Sequence, residues 1–280
     1  MPTFNQKLRR LIVRGPLHRP LLECSAQAQR IRYTRACTRS HTPKVFCIGN
    51  FKTGTMSLDG LLSQKLTGTH EPHAYLFTKM WLKYKNGQLS FQAWKDFLIQ
   101  RSNGLSLDYE ASGFLTTEAA LLAELFPNSK FILTIREPES WLRSMLRHVE
   151  KNRQRLGYHY WEPVLQNYFA GHDFPVEEAS LEAQKLFPLR SMLNYWKSSN
   201  ESAIRSIPAD QLLILDTKKL SESLGQLESF MGWKSGSLNP QKSHLHQSPT
   251  IQDPTDKISR SYLSTLTANY QQVFELWFKD

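Results

Sequence analysis

The sequence predicts an α/β fold in which a central parallel sheet is covered by helices. Three observations carry this reading. Short apolar runs at residues 45–48, 131–135 and 212–215 have the length and composition of buried strands. Leucines at helical spacing follow the first run, Pro138 and nearby acids open a helix after the second, and a long amphipathic stretch precedes the third. The resulting alternation β, α, β, α, β needs crossover helices between neighbouring strands, and so makes those strands parallel. With 40% hydrophobic and 21% charged residues among 280, the chain has enough apolar material for a large core.

The elements follow in order. Residues 1–41 form a basic N-terminal arm, and residues 42–280 read as a single domain with a helical, aromatic insertion at 64–104. The first strand, 45–48, is bounded by Pro43 and Gly49, and the loop Gly49-Asn50-Phe51-Lys52-Thr53-Gly54-Thr55 leaves it. Leu58, Leu61 and Leu62 then mark a helix that Thr55 or Ser57 can cap. The insertion carries Tyr75, Phe77, Trp81, Tyr84, Phe91 and Trp94 and a turn at Asn86-Gly87, a pattern expected to lie over the sheet rather than in it. Residues 105–109 suit a short second strand, and Leu115, Ala119, Leu122 and Leu125 a helix ending before Pro127. After the strand at 131–135, Pro138 opens a helix. A long helix at 186–206 buries Leu189, Met192, Leu193 and Trp196. Beyond the strand at 212–215, a polar loop at 234–256 leads to a last helix at 258–278.

Composition excludes several classes. No window reaches the roughly 18 apolar residues of a membrane span, and the start lacks the apolar core of a secretory signal. Cys24, Cys37 and Cys47 are too few and too scattered for a disulfide framework, and no Cys/His spacing suggests a metal site. A soluble protein of a reducing, cytoplasmic compartment is expected. The net charge is +10, but residues 1–40 hold eight arginines and one lysine against Glu23 alone. The remainder is nearly neutral, which argues against nucleic acid as a partner. Such an arm suits a solvated tail, a membrane-surface contact or a targeting segment. Its Leu11, Ile12, Val13, Leu21 and Leu22 also allow it to dock on the domain. No feature speaks to oligomeric state.

A loop leaving a buried parallel strand and entering a helix points backbone N–H groups and the positive helix end at whatever lies above the strand tips. That is an anion site. Lys52 adds a full charge, Gly54 lets the backbone curl, and Thr53, Thr55 and Ser57 add hydroxyls. A nucleoside triphosphatase loop has lysine directly after its second glycine, whereas here Lys52 precedes Gly54. The string Ile48 to Leu58 instead resembles the 5′-phosphosulfate loop of sulfotransferases, which implies cofactor contacts from Lys52, Thr53, Gly54, Thr55, Met56 and Ser57. The stretch Phe131 to Pro138 with Ser144 resembles the family's 3′-phosphate site, where an arginine ends a strand and a serine follows eight residues later. Once Pro138 starts the helix, Ser140 and Ser144 lie one turn apart on the same face, so Ser144 can point back to Arg136. The lead-in at 122–130 is also similar to the family's, and residues 207–220 resemble the strand before its C-terminal nucleotide loop. In that loop Lys242 and Ser243 are the candidates, although the pattern RKGxxGDWK is absent.

The resemblance covers roughly residues 44–245 and is to 3′-phosphoadenosine 5′-phosphosulfate (PAPS)-dependent enzymes of the bacterial, small-molecule type. It implies a three-layer, P-loop-like sulfotransferase fold with a central parallel sheet, adenosine 3′,5′-bisphosphate as product, and no metal. A general base must stand near the Lys52 loop. Glycosaminoglycan, tyrosyl-protein and trehalose-type relatives place a glutamate about twenty residues after the loop's basic residue, which points to Glu71. His70, His73 and Asp108 are the alternatives, His70 and His73 being equally able to line a polar turn. The acceptor implied is a small molecule with a hydroxyl or amine, such as a specialised metabolite, since the body lacks the basic track a polyanionic polysaccharide needs. The insertion aromatics, with Tyr158, His159, Tyr160 and Trp161, either wall its pocket or pack as core. Two other readings remain at this point: a nucleotide kinase or NTPase-like enzyme using Asp216 at a strand end, and a noncatalytic scaffold with a nucleotide loop.

Overall fold

The computed structural model describes residues 18–36, 40–153, 158–171, 173–244 and 253–279. Leu11, Ile12, Val13 and Cys37 of the arm lie outside the described residues. In chain order the elements are α1 (His18–Arg35), β1 (Val45–Cys47), α2 (Thr55–Leu62), β2 (Gly68–His70), α3 (Ala74–Lys85), α4 (Phe91–Leu105), β3 (Tyr109–Ala111), α5 (Ala119–Leu125) and β4 (Lys130–Ile135). They continue with α6 (Pro138–Arg153), α7 (Tyr158–Phe169), α8 (Ala179–Ala183), α9 (Leu189–Ser206), β5 (Leu212–Asp216), α10 (Leu224–Met231) and α11 (Arg260–Trp277). All the strand pairs are parallel, in the order β2-β3-β1-β4-β5. This is an α/β three-layer sandwich with helices on both faces of the sheet.

The chain divides into two compact units, residues 1–41 with 73–106 and 150–167, and residues 42–72 with 107–149 and 168–280. The second unit holds the sheet. Alternation along each strand sends Val45, Cys47, Tyr109, Ala111, Ile132 and Leu215 to one face, where they pack with Leu58, Leu61 and Leu62 of α2 and Leu227 of α10. Phe46 turns to the other face and stacks on Phe131, with ring centroids 5.5 Å apart, and packs at a tilt against Phe126. On α9, Glu178 caps the start: its carboxylate accepts from the Leu189 amide at 2.8 Å and from the Tyr262 hydroxyl of α11 at 2.6 Å.

The first unit is helical. Tyr33 of α1 is buried against α4, where Gly104 leaves room for its ring: a Cβ there would meet Tyr33 Cδ1 at 2.3 Å. Glu23 of α1 accepts hydrogen bonds from the Tyr75 hydroxyl and the Lys79 ammonium of α3. Phe77, Trp81, Trp94 and Phe97 are buried, with Tyr84 and Trp94 stacked at 5.7 Å and Trp94 and Phe97 at 5.4 Å. These insertion aromatics are the core of this unit, so the packing alternative holds for them.

Three sequence expectations change. Residues 68–70 are an edge strand, not part of an insertion over the sheet. Gly68 hides this because it carries no apolar side chain, yet its bareness is what lets Tyr109 lie across it, since a Cβ would sit 2.2 Å from the Tyr109 ring. The strand expected at 105–109 begins only at Tyr109, because α4 runs to Leu105 and Ser106 ends it in a left-handed conformation at φ 51. Neither Thr55 nor Ser57 caps α2. Its N-cap is Gly54 at φ 96, without a side-chain hydrogen bond.

Candidate active site

Parallel strands bring all their C-terminal ends to one edge of the sheet, and the chain leaving β1, β2 and β4 there carries Lys52, Glu71 and Arg136. At the end of β1 the chain passes so close to β4 that a Cβ on Gly49 would lie 2.0 Å from Thr134 Oγ1. The buried Thr53 hydroxyl donates to the Asn50 carbonyl at 2.6 Å and sits 2.9 Å from the Thr134 hydroxyl. Asn50 reaches Ser199 of α9 at 2.9 Å, and Thr217, just after β5, donates to the Thr53 carbonyl at 2.6 Å. The loop is thus held from below by three neighbouring elements. Lys52 has φ 69 and Gly54 φ 96, two left-handed residues within three positions. Such backbone costs a non-glycine residue on the order of 1 kcal/mol, and here it leads into the uncapped first turn of α2. The Thr55 hydroxyl meets His70 Nε2 at 3.0 Å. Met56 is exposed and Ser57 half-buried.

Arg136 follows β4. Its Nε donates to Ser140 Oγ at 2.8 Å and its Nη1 to the Lys52 carbonyl at 3.3 Å, so the second cation is tied to the first loop. Ser144, the sequence candidate, lies buried one turn further along α6, and Ser140 is the serine the guanidinium meets. Burial and the nearby Arg147 charge lower the pKa of Arg136. Two indoles fix these loops from inside: Trp141 Nε1 donates to the Phe51 carbonyl at 2.8 Å, and Trp196 Nε1 to the Arg136 carbonyl at 3.0 Å.

Glu71 ends the edge strand on the same side. Its amide donates to the Ala111 carbonyl at 3.0 Å, its backbone is left-handed at φ 48, and 20% of its side chain is exposed. Burial first, then the carboxylate of Glu110 on β3, push its pKa up to about 7, while the Gly113 amide and Lys52 pull it down. His70 stands 3.9 Å from it but is spent on Thr55. Asp108 precedes β3, at the opposite edge of the sheet, where it accepts from the Thr67 amide at 3.0 Å and pairs with Lys44 at 3.1 Å. That placement removes it from the Lys52 loop. His73 belongs to the first unit, caps α3 at φ 53 and bonds the Tyr33 hydroxyl through Nδ1. Lys242 is exposed in the turn Pro240–His244, and the side chain of Ser243 lies outside the described residues. Asp216, on which a nucleotide kinase reading relies, caps the turn after β5 by accepting from the Lys218 amide at 2.8 Å.

Ser140, Thr217, Asn50, Thr134 and Glu110 were not singled out from the sequence. Two carried a signal, because Thr134 is the one polar letter in an apolar strand and Glu110 is an acid flanked by Tyr109 and Ala111. Ser140 carried none that separates it from Ser144. Among the described residues no cluster of three or more His, Cys, Asp or Glu side chains is placed to hold a metal ion, and no helix is long and apolar enough to cross a membrane.

A parallel sheet whose C-terminal edge carries an uncapped helix start, Lys52 and Arg136 defines an α/β protein with a cationic edge. Residues 44–238 match the sulfotransferase domain. The chain belongs to the sulfotransferase family. Among solved structures it is similar to a sulfotransferase from Mycobacterium avium, with 9% identity and a TM-score of 0.55 over 89% of this chain and 81% of that one. A sulfotransferase from Alicyclobacillus acidocaldarius gives 17% identity and a TM-score of 0.46, over 83% of this chain and 96% of that one. One from Mycobacterium tuberculosis H37Rv gives 14% and 0.47, over 96% and 87%. At 9% identity the likeness to the Mycobacterium avium protein is one of fold. No curated protein matches the chain at a significant level.

Proposed function

We propose that the protein transfers a sulfonate group from PAPS to a hydroxyl or amine of a small-molecule acceptor. One observation carries the reading: Lys52 and Arg136, at the ends of the neighbouring strands β1 and β4, are joined through the Lys52 carbonyl and share an edge with Glu71. The donor set suits a ligand with two separate phosphate-type groups. The first turn of α2, with Lys52 and the loop from Thr53 to Ser57, would hold the 5′-phosphosulfate. Arg136 and Ser140 would hold the 3′-phosphate.

When bound, PAPS supplies an activated sulfonate on a stable bisphosphate leaving group. Glu71 removes the acceptor's proton, and a carboxyl titrating about neutrality is suited to that task. Lys52 and the α2 amides balance negative charge gathering on the 5′ side, and their fixed placement means no rearrangement is needed as it forms. Thr53, Asn50 and Thr217 keep that loop in place.

Titration calorimetry with adenosine 3′,5′-bisphosphate and with ATP, followed by a mass screen for sulfonated products over a metabolite library with PAPS, tests the reading. Micromolar binding of the bisphosphate with ATP at least tenfold weaker, and a product heavier by one sulfonate, are expected. Equal or tighter binding of ATP sinks it.

A further inference from the structure

Ser140, Arg143 and Arg147 recur at the spacing of one helix face along α6. With Glu137 and Glu139 they line an open hollow at the start of that helix. Most of these groups are already engaged. The Glu137 carboxylate accepts from the amides of Glu139 and Ser140, at 3.1 and 2.7 Å. Arg143 is satisfied by Glu139 at 2.9 Å, by Thr255 at 2.6 Å and by Asp253 at 3.3 Å. Ser140 receives Arg136.

Arg147 differs. Among the described residues its ion pair is with Asp253 at 3.7 Å, beyond hydrogen-bond length, and that carboxylate is shared with Arg143. Its side chain is 36% exposed. It shares that hollow with Ser140, the hydroxyl that Arg136 Nε meets at 2.8 Å. Arg136 is joined to this hollow through Ser140, so a phosphate dianion seated there would accept from Arg147 and Ser140 beside the Arg136 guanidinium.

We propose that Arg147 is a second cation of the 3′-phosphate subsite, joining Arg136 and Ser140 across this hollow. The proposal rests on the nucleotide reading above and adds a specificity residue to it. The 3′-phosphate distinguishes the expected ligand from ordinary adenosine 5′-phosphates, so Arg147 would set that preference rather than affinity for the nucleotide at large.

The test measures binding of adenosine 3′,5′-bisphosphate and adenosine 5′-monophosphate to the full chain by calorimetry, for wild type, Arg147→Gln, Arg147→Lys and Lys242→Ala. Loss of a charge-assisted contact predicts that Arg147→Gln lowers the bisphosphate-to-monophosphate affinity ratio by about tenfold or more, with monophosphate binding changed less than twofold. Arg147→Lys should fall between wild type and Arg147→Gln. Unchanged monophosphate binding shows that the variants are folded. A ratio for Arg147→Gln within twofold of wild type overturns the assignment, as does equal loss from the lysine variant or loss in Lys242→Ala alone. A wild-type protein that does not prefer the bisphosphate at all overturns the nucleotide reading itself.

Discussion

Glu71 is pushed the same way by burial and by Glu110, so its carboxyl holds a proton up to about pH 7. A base must lose that proton to work, so turnover should rise through about pH 7 and level off above it. Glu71→Gln should lower kcat by about 10² to 10⁴ and abolish that rise, while bisphosphate binding stays within about twofold. A pH profile of the variant that keeps its inflection points to another group. Stability moves in a defined direction as well. The folded pKa lies above the ordinary 4.5, so the stability this group contributes is present below pH 4.5 and lost as the pH rises through about 7. Relative to wild type, Glu71→Gln should therefore melt higher above pH 7 than at pH 5. Lys52 was readable as a candidate from the strand, loop and helix pattern, and Glu71 from the spacing that the family resemblance implies. That Arg136 meets Ser140 was not, since Ser140 and Ser144 occupy one helix face and only the reach of the Arg136 side chain separates them.

The elements show why the anion loop tolerates two left-handed residues. Strain at Lys52 persists because the loop around it is fixed through Thr53, Asn50 and the Trp141 indole. Gly49 is where that packing is tightest. Gly49→Ala would place a Cβ 2.5 Å from the Thr53 hydroxyl and 2.7 Å from the Thr134 carbonyl, and backbone cannot yield as a side chain can. A loss of about 1–3 kcal/mol or more is expected by chemical denaturation, together with weaker bisphosphate binding. An unchanged denaturation midpoint would show that the loop is looser than described. The strands β1, β4 and β5 were legible because each is an apolar run between breakers. β2 was not, as Gly68-Thr69-His70 has no apolar pattern and owes its place to Tyr109 lying over a glycine. The aromatic insertion was legible as helical, but core and pocket aromatics look alike until burial separates them.

At the scale of the whole molecule, the division of the chain into interleaved segments was not visible in composition, because each unit draws on stretches distant in sequence. Contacts made after long excursions leave no local trace. The same holds for Glu178, a buried acid 84 residues from the Tyr262 hydroxyl it accepts from. Removing it in Glu178→Ala strands the Leu189 amide and that hydroxyl. It should therefore cost about 1–3 kcal/mol per unsatisfied group, read as a lower melting temperature and earlier proteolysis within α11. Cleavage at the wild-type rate would mean that α11 is held mainly by its apolar face.

The order β2-β3-β1-β4-β5 also governs how the chain can fold. Among the described residues no strand pairs with a neighbour across a hairpin: the shortest excursion joins Gly68 to Tyr109, and β4 finds β5 only when Leu212 reaches Phe131. Every rung of the sheet thus demands a long loop closure before it is rewarded, which favours slow refolding. During synthesis β4 emerges with its outer row of amides unpaired, and some eighty residues must follow before its partner arrives. In that interval the protein exposes a fresh, apolar strand edge to the cell.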